Sequence, residues 1–523
     1  MAKSLAAMTA RRSAPPSSEA ETVSSGTVVE PQAARSPLAW LEQNCTALVL
    51  LATVCVLAVG LVYAVALGNE VSARDDAVAL RLADRLAGEG TYSLDGSTPS
   101  AARPPAYPVL LAGLRLLDAP VVVLRMLNMV LLALTVPAVA ALAGALAGAL
   151  AAIAGAALVG AYPLFLYTAG PVQPRTLAAL LLVTGVLALV KAATAGTARA
   201  RALLALGGGL AFGLLTLTAP LLAVAFVPVS AWLVYRLRTP SAGRSPQSGA
   251  EGARSRRMVA VLTLALIALV LLPGLWTVRN AVQFGAFVPV TTSGGYELLR
   301  GNSEHAGFDG GREIDISGYE ASARGRTQGE VETDRYYRAS ALTWIAQHPG
   351  EAVAGYVQKL VNLLAVRDGL ATPGRTTDVT TAVIAAVYLP LLALFLTRLT
   401  LWRRRRPGSA EVLVTVVIAG SALLLAIAPT RVTSRVPLDV LLCVIVATLA
   451  PILTATLDER RRAAALLAEQ RPALDEQVPA FELQPSAEYL TLVSLNGIEA
   501  ELVLDDEELL PEPEPEPATA QKS

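Results

Sequence analysis

Apolar residues in this chain gather in long uninterrupted runs, at 46–67, 121–142, 150–167, 176–193, 202–217, 221–235, 258–276, 379–399, 412–428 and 437–456. Helices crossing a hydrocarbon layer of about 30 Å need runs of this kind, and outer-membrane barrels lack them. The pattern therefore predicts an all-α polytopic membrane protein with about ten crossings. A shorter apolar segment at 107–117 precedes the second run. Just after the first run, Leu80, Ala83, Leu86 and Ala87 recur at helical spacing. This predicts an amphipathic helix lying on the outer leaflet, with Asp75 and Asp76 at its N-terminal end.

The polar segments orient the chain. Arg236, Arg238, Arg244, Arg254, Arg256 and Arg257 lie between the sixth and seventh runs, Arg403 to Arg406 follow the eighth, and "DERRR" follows the last. With about ten crossings all three fall on the side of the N-terminus, so the positive-inside rule places both termini in the cytoplasm of a bacterial inner membrane. Loops at 68–106 and 277–378 are left outside, and the chemistry is expected there. Residues 1–38, rich in Ser, Pro and charge, read as a disordered tail. They precede a membrane domain at 39–457. The remainder, 458–523, is a cytoplasmic tail with a β-hairpin at 489–504 turning on Asn496-Gly497 and an acidic, Pro-rich end.

Composition narrows the function classes. The chain of 523 residues is 54% hydrophobic and 16% charged, too apolar for one soluble core. Lys plus Arg and Asp plus Glu both number 42, so net charge offers no pull toward nucleic acid. Cys45, Cys55 and Cys443 show no paired spacing and read as core filler. His305 and His348 are too few and too far apart for a histidine-rich metal site, and no protein-bound zinc is expected.

Several side chains suit chemistry at an interface. Asp75 and Asp76 read either as a helix cap or as the source of a general base that takes a hydroxyl proton. The prolines of "AARPPAYP" hold Arg103 in an extended turn, where it suits a phosphate or a lipid headgroup. Arg279 and Asn280 mark the exit of the seventh run, before "TSGGYELLRGN". Lys359, solitary on a later helix, reads as a snorkelling lysine or a second cation for phosphate. A transporter would need ionisable groups within several spans, and these are scarce in the runs.

Taken in order, "ADRLAGEGTY", "ARPPAYPVLLAG", "LWTVRNAVQFGAFVPVTTSGGYELLRGN" and "ALTWIAQHPGEAVAGYVQKL" resemble blocks of the membrane glycosyltransferases of the C superfamily. The likeness is to the bacterial family 39 and aminoarabinose-transferase-like group, related to protein O-mannosyltransferases, and it covers about 48–453. The resemblance implies the GT-C fold and inverting transfer of a sugar from a polyprenyl-phosphate donor to a glycan, lipid or protein hydroxyl outside the membrane. It implies Asp75 or Asp76 as base, with Arg103, Arg279 and Lys359 on the donor phosphate. The matched blocks add Tyr107, Asn280, Gly294, Gly295, Tyr296 and Asn302 to the substrate loops. The lipid-linked sugar is substrate rather than cofactor, no other cofactor is implied, and dependence on a divalent metal is left open. A non-catalytic relative binding lipid-linked sugars or glycans in envelope assembly is the alternative.

The chain departs from the family at four places. Arg175 stands where "TE.L" carries an acid, and Ala219 where "LTRP" carries Arg. Ala79 lies where a tyrosine usually follows the catalytic acid, and "TSRVP" replaces "RYR.P".

Overall fold

A computed structural model describes residues 37–71, 74–239, 250–306, 314–327, 329–366, 378–430, 432–477, 492–493 and 499–500. The chain begins with α1 (Pro37–Gln43) and α2 (Cys45–Leu67), followed by α3 (Arg74–Glu89), α4 (Ala106–Arg115), α5 (Val121–Ala147), α6 (Ala149–Ala161) and α7 (Pro163–Ala169). Next come α8 (Arg175–Thr194), α9 (Ala198–Thr216), α10 (Pro220–Ala223), α11 (Phe226–Arg238) and α12 (Ala250–Phe284). The second polar segment carries α13 (Gly294–Gly301), α14 (Ser317–Arg326), α15 (Glu330–Gln347) and α16 (Pro349–Leu364). Helices α17 (Asp378–Leu401), α18 (Ser409–Leu425), α19 (Val436–Ala447) and α20 (Leu449–Gln477) complete the helical part.

Among the described residues, eight helical stretches are long and apolar enough to cross a membrane. The pair α6 and α7, bent by 56°, and the shorter α18 supply helices for the remaining apolar runs. This is a multi-pass membrane architecture. Every residue of α19 is buried, because a helix apolar on all sides has neighbours on all sides. Helix α2, only 11% buried over its apolar window, carries exposed Leu50, Val54 and Val62, the face that acyl chains cover. Cys55 is exposed on the same helix, so of the three cysteines only Cys443 is fully buried filler. At Gly209 a Cβ would stand 2.1 Å from Ala265 O, so α9 and α12 pack backbone to backbone as small residues allow in membranes.

The few charges inside the last runs are paired with charges at the ends of runs. Arg435 Nε donates to Asp439 Oδ2 at 3.1 Å, and Tyr162 OH donates to the same oxygen at 2.9 Å. The Arg435 guanidinium lies 3.5 Å from the centre of the Tyr388 ring and donates from Nη1 to Leu363 O and Ala365 O at the end of α16. Arg398 and Glu411 form a second buried pair at 2.8 Å, joined by Thr448. Each charge is tolerated because its partner and hydrogen bonds replace water.

The C-terminal unit, 456–523, is described only in part. Strands Leu492–Val493 and Glu499–Ala500 pair antiparallel, with Val493 opposite Glu499. The turn itself lies outside the described residues, as do the acidic terminus and the N-terminal tail up to residue 36.

Candidate active site

Helix α3 forms where the amphipathic period predicts it, but its apolar face meets protein. Ala79, Leu80 and Ala83 pack with Tyr107, Leu111 and Ala112 of α4, Leu124 of α5 and Val172. The neighbouring helices offer closer packing than a mobile lipid surface, so the outer-leaflet placement is corrected to a buried one. This docking carries Asp76 inward to 3% exposure. The Tyr162-Pro163 break turns the chain so that the 170–174 loop faces it. Gln173 N bonds Pro171 O at 2.9 Å, a tight turn that presents the next donors. Val172 N donates to Asp76 Oδ2 at 3.1 Å and Gln173 Nε2 to Oδ1 at 2.8 Å.

Burial pushes the Asp76 carboxyl above its ordinary value, against the two hydrogen bonds and the charges of Arg125 and Arg175. Arg175, the residue that departs from the family pattern, thus acts on the candidate base as a cation. Arg125 is 5% exposed and donates to Glu70 O and, at 3.3 Å, to Gly170 O; its Nε has no partner among the described residues. Tyr107 OH donates to Asn128 Oδ1 at 3.0 Å, and Asn128 Nδ2 to Pro171 O at 2.8 Å, fixing the same loop. Asp75 lies in the first turn of α3, and its side chain is outside the described residues.

The turn bearing Arg103 is clamped from several sides. Arg279 Nη1 donates to Ser100 O at 2.8 Å and Nη2 to Tyr92 O at 3.3 Å. Glu330 accepts from Ser100 Oγ at 2.9 Å and from Ala101 N at 2.8 Å, while Thr292 N donates to Ala101 O at 2.9 Å. Tyr92 OH donates to Arg103 O at 3.0 Å, and Arg103 Nη1 stands 3.9 Å from Glu297 Oε1 of α13. Helix α12 runs on past the predicted span, so Arg279 and Asn280 sit in its final turns. There Arg279 lies 4.7 Å from the Trp276 ring and donates to Asn280 Oδ1, while Asn280 Nδ2 holds Val288 O at 3.0 Å. Arg279 is built as a strut of the turn.

Helix α13 connects this turn to Lys359. Gly295 N donates to Asp334 Oδ1 at 2.5 Å, and a Cβ at Gly295 would lie 2.0 Å from Asp334 O, so only glycine allows α13 to seat on α15. Gly294 opens the helix, and the Tyr296 ring packs at 5.9 Å on Tyr337. Glu297 also reaches Arg300 at 3.6 Å. At the end of α13, Lys359 Nζ donates to Gly301 O at 2.8 Å and to Asn302 Oδ1 at 3.2 Å. Asn302 is tied in turn to Ile427 O at 3.1 Å. Lys359 is 8% exposed, and burial pushes its ammonium down to about 8.

The expected residues thus form two groups. Asp76 and Tyr107 share one, with Arg125, Asn128 and Gln173; Arg103, Glu297, Asn302 and Lys359 lie along α13, with Arg279 and Asn280 behind the turn. The sequence reading missed Arg125 and Asn128, whose signal is a cation and an amide three residues apart on one face of an apolar run. It also missed Gln173, whose role depends on the α6–α7 break. Among the described residues no group of three His, Cys, Asp or Glu side chains stands ready to hold a metal.

No protein-family model matches the chain, and no curated protein matches it in sequence. Solved structures do resemble it. Archaeal oligosaccharyltransferase AglB from Archaeoglobus fulgidus, in complex with an inhibitory peptide and a dolichol-phosphate, is similar at 15% identity and a TM-score of 0.38, over 80% of this chain and 52% of its own. ArnT from Cupriavidus metallidurans bound to undecaprenyl phosphate is similar at 15% identity and a TM-score of 0.36, over 82% of this chain and 80% of its own. The apo state of ArnT gives 15%, a TM-score of 0.37, and 76% of each chain. The chain spans about half the length of the oligosaccharyltransferase.

Proposed function

We propose that this chain is a membrane glycosyltransferase of the GT-C type that moves a sugar from a polyprenyl-phosphate donor to an acceptor hydroxyl on the extracytoplasmic face. The observation that carries the reading is the buried Asp76 carboxyl, raised by burial yet held by Val172 N and Gln173 Nε2 beside Arg125 and Arg175. The motif resemblance supports it independently. In the reaction the acceptor oxygen attacks the anomeric carbon as its proton passes to Asp76. The bond from that carbon to the phosphate oxygen breaks on the opposite face, so the configuration inverts. A base whose affinity for protons exceeds that of a free aspartate takes the proton more readily once ionised.

The leaving group is a lipid phosphate, and cations that meet its charge lower the barrier. Arg103, held rigidly by its clamped turn, and Lys359 are assigned to it. Arg279 supports Arg103 from behind through Ser100 O and Tyr92 O. A second reading, a non-catalytic protein that binds lipid-linked sugars or glycans, draws on the fact that both Asp76 oxygens accept from protein donors. The two separate in membranes supplied with radiolabelled polyprenyl-phosphate sugars. The enzyme reading expects Asp76→Asn to lower transfer by a factor of about 10²–10⁴, with Asp75→Asn near wild type. Full cellular function in Asp76→Asn with no label transferred by any variant supports the binding protein and ends the enzyme reading.

A further inference from the structure

Beside Lys359 the protein forms a partly open cavity of about 70 Å³, bounded by the end of α13, by α15 and α16, and by Pro429 and Thr430. A water needs about 10–15 Å³, so the space holds about five waters or one sugar ring. Ser303, 2% exposed, lines it with an Oγ that has no partner among the described residues. Arg300, Gln358, Asn362 and Trp344 supply the further polar and aromatic groups of its wall. A buried hydroxyl left unpaired at the wall of a polar cavity points to a hydrogen-bonding occupant.

A surface groove of about 590 Å³ along α15 shares Glu304, Trp344 and Glu351 with the cavity. Its wall carries the Tyr319 and Tyr336 rings together with Ser340, Thr343 and Gln347. Tyr319 OH donates to Glu304 Oε2 at 2.9 Å, and His348 stacks on Trp344 at 5.4 Å, which fixes both aromatic groups. Aromatic faces set among donors and acceptors of both signs fit a neutral polyhydroxylated chain, apolar on its C–H faces and hydrogen-bonding at its rims. An extended peptide is matched by a free sheet edge, and the described part of this loop region is helical.

We propose that the groove and cavity are an acceptor subsite and that the acceptor is a carbohydrate chain. An end sugar remote from the accepting hydroxyl enters the cavity against Ser303 and Trp344, and the neighbouring sugars lie along Tyr336 and Tyr319. This deepens, and rests on, the glycosyltransferase reading.

The test uses full-length protein in nanodiscs. Saturation-transfer NMR with mannopentaose, arabinopentaose and a neutral Ser/Thr hexapeptide reads which probe touches the protein. At least one pentasaccharide binds, its end sugar most strongly saturated. Trp344→Ala weakens binding about tenfold, the scale of one aromatic contact. Trp344→Phe restores most of it, and Ser303→Ala, which removes one hydroxyl, weakens it about threefold. Binding of the hexapeptide alone, of no probe, or of a pentasaccharide equally well in Trp344→Ala and Ser303→Ala overturns the proposal. Undecaprenyl phosphate binding is measured separately on the wild type. Lipid binding without any pentasaccharide response ends the carbohydrate subsite alone, whereas a pentasaccharide response without lipid binding ends the donor assignment alone.

Discussion

A carboxyl at 3% exposure is costly to ionise, and Asp76 keeps the option through two donors and two nearby cations. Because its proton affinity in the fold exceeds that of the unfolded chain, its contribution to stability is full below the ordinary value of 3.8 and falls as pH rises through the raised value. Catalysis runs the other way, since the base works ionised. The acidic limb of the transfer rate against pH is therefore expected above 3.8, and a limb at or below it contradicts the role of Asp76. Lys359 gives a limb on the alkaline side. With its ammonium pushed down to about 8, affinity for polyprenyl phosphate falls as pH rises through that value. Lys359→Arg, which stays charged, removes the decline in a lipid-binding titration. An unchanged decline in that variant removes Lys359 from the phosphate site. Little of this was written in the sequence beyond residue types: the acid pair and the lysine stand out by position, but burial and partners are tertiary facts.

Helical elements were legible because their periods are strong, and their partners were not. The period of Leu80, Ala83 and Leu86 gives α3, whereas its burial against α4 and α5 depends on surfaces that no local pattern names. The Gly294-Gly295 pair is visible as a turn; its close seat on Asp334 and Arg338 appears only in three dimensions. Gly295→Ala is expected to displace α13 and lower stability by about 1–3 kcal/mol, read by thermal unfolding in detergent. A melting temperature equal to wild type counts against the seating. The knot of Arg435, Asp439, Tyr162 and Tyr388 joins the α6–α7 break, the end of α16, α17 and α19. Asp439→Ala leaves an uncompensated guanidinium in an apolar interior, so a loss of about 3–5 kcal/mol is expected in denaturant unfolding. A loss under about 1 kcal/mol would place the pair in water. The sequence reading recorded "TSRVP" only as a departure from a family pattern, since the partners lie far apart in the chain.

On the scale of the whole molecule, the arginine-rich segments and the α13–α16 region are expected on opposite sides of the membrane. In a variant lacking Cys45, Cys55 and Cys443, a cysteine at exposed Ser317 should react with an impermeant maleimide on intact spheroplasts. One at exposed Arg404 should react only after permeabilisation. The reverse result inverts the topology and removes the extracytoplasmic acceptor. The multi-pass helical class was readable because hydrophobic runs report membrane crossing directly, whereas among the described residues eight helices, or nine with the bent pair, are long and apolar enough to cross, against about ten expected. The most direct measurement is a single turnover by purified protein in nanodiscs with a labelled polyprenyl-phosphate sugar and its acceptor, following release of free polyprenyl phosphate. Release in the wild type, slowed by a factor of about 10² or more in Asp76→Asn, is the predicted result. Release at the wild-type rate in Asp76→Asn, with Asp75→Asn inactive, would contradict it.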